Sequence, residues 1–221
     1  MMEWMLKSAS TFAGDIDNLI LVITILTGFW LFVAEGVLFY FCWRYRKSAN
    51  PKAMYITGEK KEEMKWIHLP HNAVLVCDLV IIALAVKVWY GVKQDLPRAD
   101  ETVGVTARQW AWVFTNPGPD KQLGTDDDVE SLDELRLKVD TTYHFKLQSN
   151  DVMHSFSIPA FRLKQDAVPG REITGWFKPN QAGTYDIQCT EICGIGHGLM
   201  PAKLVVESEN EHLEWLKTQK T

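Results

Sequence analysis

The sequence predicts an α+β membrane protein: a two-helix transmembrane hairpin followed by an all-β sandwich or Greek-key barrel. Three observations carry that expectation. Two long apolar runs lie within the first 93 residues, short β-rich runs punctuated by turn residues fill most of the remainder, and the charge changes sign between the two parts. Of 221 residues, 47% are hydrophobic and 23% charged, which excludes wholesale disorder. Four cysteines are too few for a disulfide-stapled miniprotein. A net charge of −5 excludes the concentrated basic footprint of a nucleic-acid binder. The mean hydropathy of −0.11 looks soluble only because it averages unlike halves.

The first run, Leu19 to Trp43, has Glu35 as its only charge. At 1.5 Å per residue it spans a bilayer core with some tilt. The second, Ala73 to Val92, carries Asp78 and Lys87. The alternative of a buried core helix fails because nothing nearby is large enough to bury both. We place the spans at about 17–45 and 69–92, inside a hairpin of residues 1–93. The loop between them holds Arg44, Arg46, Lys47, Lys52, Lys60, Lys61 and Lys65 against Glu59, Glu62 and Glu63. Basic loops stay inside, so both termini lie outside and everything after Val92 is exported. Trp4, Trp30, Trp43, Trp66, Trp89 and Tyr90 mostly flank the spans, as interfacial aromatics do. The first run is too long for a signal-peptide core and no small-residue cleavage site follows it, so it is read as retained.

Residues 1–93 carry eight acidic and ten basic residues, and residues 94–221 carry 20 and 13. The exported part is therefore acidic. Within 94–208, strands are expected at Thr102–Phe114, Glu134–Val139, Thr142–Gln148, His154–Ile158, Glu172–Phe177, Gly183–Cys189 and Lys203–Glu207. The tail 209–221 reads as a short amphipathic helix from Glu209 to Lys220.

The most informative stretch is the loop from Cys189 to Met200. It holds two thiols four residues apart, His197 four further on, and the Met200 thioether three beyond that. His154, about 35 residues upstream, offers a second imidazole. Soft donors of this kind select copper over magnesium or calcium. Zinc also accepts Cys and His, but a neutral thioether is a poor zinc ligand and a familiar weak axial partner of copper. A Cys189–Cys193 disulfide is the alternative on an oxidising face, and it leaves the converging His and Met unexplained. Cys42 and Cys77 lie in the spans and read as small apolar residues. A second thiolate lets two sulfurs bridge two coppers and spread one electron over both, which suits a relay.

Three runs, Asp151-Val-Met-His154-Ser-Phe-Ser-Ile-Pro159, Leu163 to Arg171 and Cys189 to Met200, together with Gln109-Trp110-Ala-Trp112 and the two spans, resemble subunit II of cytochrome c oxidase. That resemblance implies a cupredoxin-like domain and a binuclear copper centre, CuA, held by Cys189, Cys193, His154, His197, Met200 and the backbone carbonyl of Glu191. It implies that the Glu191 side chain also binds a magnesium ion at the border with subunit I, a hard ligand suited to a hard ion. It implies that Trp110 receives the electron from a c-type cytochrome; Ala111 stands where the family often has Tyr. Glu63, three before Trp66 and seven before Pro70, matches the family Glu at the inner mouth of a subunit I proton channel. The implied role is electron entry into an oxidase that reduces oxygen and pumps protons, in an energy-conserving bacterial-type plasma or inner membrane. The alternative is the electron-transfer subunit of another respiratory reductase, such as a nitric oxide reductase. A metal-free quinol oxidase subunit would lack these cysteines and histidines.

Three features fall outside that correspondence. Glu35 and Asp78 each lie about 12 Å from the inner end of their span, and intramembrane carboxylates are functional suspects, read here as anchors to a helix or to subunit I. The loop 117–128 has four Asp and two Gly. It is read as a solvated acidic tip steering a basic cytochrome, with calcium binding as the alternative.

Overall fold

A computed structural model describes residues 7–52 and 55–219; Trp4 and Lys220 lie outside the described residues. The chain forms two compact units, Asn18–Val88 and a second made by the segment up to Asp17 together with Trp89–Thr221.

In the first unit, α1 (Ala13–Arg44) and α2 (Lys61–Trp89) are both long and apolar enough to cross a membrane, with mean hydropathies of 2.1 and 2.2 over their best windows. Their apolar side chains are largely exposed, as lipid-facing or partner-facing surfaces are. Thr24 and Thr27 donate their hydroxyls to the carbonyls of Ile20 and Ile23 at 2.8 and 2.7 Å, which hides polar groups that lipid cannot solvate. Trp30 Nε1 donates to Cys77 Sγ at 3.4 Å, tying α1 to α2. Cys77 is half-buried and Cys42 exposed. Pro70 lies inside α2, which starts at Lys61, earlier than the apolar run, because the charged first turn is helical too. Five residues in π-helix, Tyr90–Gln94, follow.

The second unit is a sandwich of two five-stranded sheets. One has the order β3-β2-β1-β5-β8, built from β1 (Glu101–Arg108), β2 (Ala111–Asn116), β3 (Val129–Leu132), β5 (Tyr143–Ser149) and β8 (Ile173–Phe177). The other has the order β4-β10-β9-β6-β7, built from β4 (Glu134–Lys138), β6 (His154–Ile158), β7 (Leu163–Ala167), β9 (Gly183–Cys189) and β10 (Ala202–Glu207). The parallel pairs β1·β5 and β4·β10 sit among antiparallel ones. Strict alternation along β1 sends Val103, Val105 and Ala107 inward, and along β2 sends Trp112 and Phe114 inward. With Phe145, Phe156, Phe161 and Phe177 these form a fully buried aromatic core, each ring contributing about 1.5–3 kcal/mol.

Three differences from the sequence reading have physical causes. The expected strand Thr102–Phe114 is a hairpin that breaks at Gln109-Trp110. β3 and β7 were not expected, because one is short and the other, an edge strand reading Leu-Lys-Gln-Asp-Ala, carries almost no apolar alternation. The N-terminal segment packs on the sandwich: Ala9 N–H donates to Ala160 O at 2.9 Å, Thr11 N–H to Lys178 O at 3.1 Å, and Asn180 N–H to Ala9 O at 3.1 Å, with Phe12 buried against Trp176. The C-terminal helix α3 (Glu209–Gln219) buries His212 and Leu216.

Candidate metal centre

Strand pairing builds the site. β6 and β9 are antiparallel with Phe156 opposite Cys189, and Thr190 N–H donates to Ser155 O at 3.2 Å, so His154 at the start of β6 stands beside the loop that leaves β9. That loop turns back through a 3-10 turn, His197–Leu199, into β10, which brings Met200 beneath Cys193.

The donors converge. Cys189 Sγ lies 3.8 Å from Cys193 Sγ, 3.9 Å from His154 Nδ1 and 3.3 Å from the Glu191 carbonyl oxygen. Cys193 Sγ lies 3.6 Å from His197 Nδ1 and 3.4 Å from Met200 Sδ. Both cysteines are free thiols. Among the described residues, His154, Cys189 and Cys193 are the group of three or more His, Cys, Asp or Glu donors that falls within 4.8 Å. His154, Cys193 and Met200 are buried, whereas Ile192, Ile195 and Leu199 on the same loop are strongly exposed. Burial and the neighbouring Cys189 push the Cys193 thiol up to about 11. A bound cation reverses that, since thiolates rather than thiols ligate metals.

The supporting groups were not singled out in the sequence. Asp151 Oδ1 meets His154 Nε2 at 2.8 Å, which fixes the ring so that Nδ1 faces the thiols. Asp151 also accepts the N–H groups of Gln109 and Val152, each at 2.6 Å. Desolvation raises its carboxyl, but the bonds from His154, Gln109 and Val152 together outweigh that and hold it below the usual carboxylate range. The Cys193 carbonyl accepts Gln109 Nε2 at 2.8 Å and Trp110 Nε1 at 3.2 Å. The signal was available: Asp151 stands three residues before His154, and Gln109 immediately before Trp110.

Trp110 is 37% exposed, with its indole N–H turned toward the loop. Glu191 is half-buried. In the helical unit, Glu63 Oε2 accepts the Gly58 N–H at 3.0 Å at the start of α2. Glu35 and Asp78 are exposed on the hairpin surface. In the acidic loop, Asp120 accepts from Gln122 N–H, Asp127 from Thr125 Oγ1 and Asp120 N–H, and Asp128 from Gly124 N–H. Those carboxylates close turns within the loop, and Asp127 and Asp128 are half-buried there.

Comparison with known proteins gives a consistent picture. Residues 119–208 match the family described as cytochrome C oxidase subunit II, periplasmic domain. The alternative cytochrome c oxidase subunit 2 of Bradyrhizobium diazoefficiens is 31% identical over 99% of this chain and 85% of its own length. The cytochrome c oxidase subunit 2 of Cereibacter sphaeroides is 32% identical over 95% of this chain and 78% of its own. The crystal structure of the periplasmic domain of subunit II of cytochrome oxidase from Bradyrhizobium japonicum is 30% identical and superposes with a TM-score of 0.51, covering 57% of this chain and 97% of that one.

Proposed function

The chain belongs to the cytochrome c oxidase subunit II family, a family of oxidoreductase components, and from that membership we propose that its cupredoxin-like unit is the electron-entry module of an oxidase. In this reading it accepts electrons one at a time from a c-type cytochrome and passes them to haem in subunit I, where oxygen is reduced and protons are pumped. The observation that carries the reading is the convergence of two thiols, two imidazoles, a thioether and a backbone carbonyl within 3.3–3.9 Å contacts.

The donor set fits a binuclear copper centre, which Cys189, Cys193, His154, His197, Met200 and the Glu191 carbonyl would hold. Copper bound there supplies a one-electron couple spread over two metals. The residues of the chain do the rest. Asp151 holds His154 in one tautomer and orientation. Trp110 offers an exposed face to a donor while its N–H reaches the Cys193 carbonyl. The excess of acidic residues in 94–221 attracts a basic cytochrome over a Debye length of about 8–10 Å. The Glu191 side chain is available to magnesium at the border with subunit I, and Glu63 is assigned to the inner mouth of a proton channel. α1 and α2 anchor the chain in a bacterial-type plasma or inner membrane with the β unit outside. The same donor set would serve a nitric oxide reductase, but the near full-length similarity is to oxidase subunits.

Copper loading of the full-length chain in detergent tests this reading. Two copper atoms per chain and a mixed-valence EPR signal are expected, with the signal lost in Cys193→Ser. A single mononuclear copper, or a signal indifferent to Cys193→Ser, refutes it.

A further inference from the structure

Met200 is held from below by a residue that is not itself in the donor set. Trp112 points inward from β2 and is fully buried. Its indole N–H donates to the Met200 carbonyl at 3.1 Å. Its ring meets His154 edge-on, with centroids 6.2 Å apart and planes at 62°, and packs on Phe156 at 5.5 Å. The backbone of Trp112 is fixed in turn by Asp133, which sits in the left-handed region at φ 55°. Asp133 Oδ1 accepts the Trp112 N–H at 2.8 Å, and Asp133 N–H donates to Trp112 O at 2.9 Å. The carbonyl of Asp133 accepts Lys203 N–H at 2.9 Å, three residues beyond Met200. Trp112 and Asp133 together therefore clamp the chain at Met200 and just after it.

We propose that Trp112 is a positioning residue for Met200, and that its indole N–H sets how closely the Met200 thioether approaches the two-thiol cluster and hence the reduction potential of the centre. The inference rests on the copper reading above. Met200 Sδ lies 3.4 Å from Cys193 Sγ and the residue is 1% exposed, so its side chain has little freedom except through its own backbone. That backbone is pinned at the carbonyl by one buried hydrogen bond. A weak axial thioether is a principal control of copper potential, and groups outside the ligand set control the ligands. Removing the N–H leaves the Met200 carbonyl buried without that donor, which drives it to shift. If the thioether withdraws, the oxidised centre loses electron donation and the potential rises.

The test is Trp112→Phe in the full-length chain assembled into its oxidase, read by copper content, optical and EPR spectra and redox titration. Copper content equal to the parent, displaced charge-transfer bands and a raised potential are expected. An unchanged or lowered potential with copper intact overturns the proposal. Should Trp112→Phe fail to load copper, 3-benzothienylalanine placed at 112 keeps the bicyclic ring and lacks the N–H, and the same two outcomes decide. Failure of the copper reading shows separately, as a parent without a mixed-valence signal.

Discussion

Gly196 lies flat beneath Trp110: a Cβ built on Gly196 would stand 2.4 Å from Trp110 Cδ2 and 2.6 Å from Cγ. Gly194, two residues earlier and at φ 120°, is almost as close, its Cβ falling 3.0 Å from Gln109 Nε2 and 3.2 Å from Trp110 Cζ2. The indole is thus pressed on the backbone of the donor loop on one side, bonded to Cys193 O by its N–H, and 37% exposed. If Trp110 is the proposed entry point, this contact and the hydrogen bond to Cys193 O would couple its ring to the thiol loop.

Gly196→Ala should therefore uncouple Trp110 from the loop without touching a donor. The methyl cannot be accommodated unless the ring moves off the loop backbone. Stopped-flow reduction by a c-type cytochrome is expected to slow while copper content is retained. Parent-like reduction kinetics would count against Trp110 as the entry point.

Phe12→Ala tests the docking of the N-terminal segment on the sandwich. Phe12 is 4% exposed and meets Trp176 edge-on at 5.2 Å. Truncating a buried Phe costs about 3–5 kcal/mol. A matching fall in stability is expected when unfolding is followed by tryptophan fluorescence, together with a changed emission from Trp176 in the folded state. A loss below about 1 kcal/mol would mean that the segment is an appendage to the β unit.

That segment also shows where the sequence runs out. Cys189, Cys193, His197 and Met200 lie within twelve residues of one loop, and their donor types identify soft-metal chemistry before any fold is known. His154 is remote in sequence, and only the β6·β9 register explains why it arrives at Cys189. Ala9-Ser10-Thr11-Phe12 has no periodicity to flag it, and its packing is set by carbonyls and N–H groups of Ala160, Lys178 and Asn180 that sequence patterns do not display. Spacing flags Asp151 and Gln109 beside His154 and Trp110, but what they and Asp133 bond is not legible in it, for a related reason. A polar residue in a turn reads as solvated until the turn is seen to lie against the donor loop.

Gly175→Ala probes the core rather than the site. A Cβ at Gly175 in β8 would fall 2.2 Å from Phe145 Cζ, and Phe145 is itself stacked on Phe177 at 5.5 Å and 17°. The rings cannot yield without disturbing the aromatic core, so overpacking should cost about 1–3 kcal/mol. Chemical denaturation of variant and parent measures it; equal midpoints and slopes would show that the core has slack at this edge.

His212 should make the β unit less stable in mild acid. It is buried on α3 with Nδ1 3.0 Å from Glu207 Oε1, and Lys138 and Glu101 form a buried ion pair close enough to bear on it. Burial lowers its pKa and outweighs the upward pull of Glu207. The folded state therefore takes up a proton less readily than the unfolded chain, whose His titrates near 6.5. The contribution of His212 to stability is present above that value and is lost as pH falls through it. Stability measured by denaturant unfolding between pH 8 and pH 5 should decline, and His212→Gln, which costs roughly 1 kcal/mol of hydrogen bonding at pH 8, should flatten the decline. The same slope in parent and variant would mean that the acid sensitivity arises elsewhere and that His212 contributes packing alone.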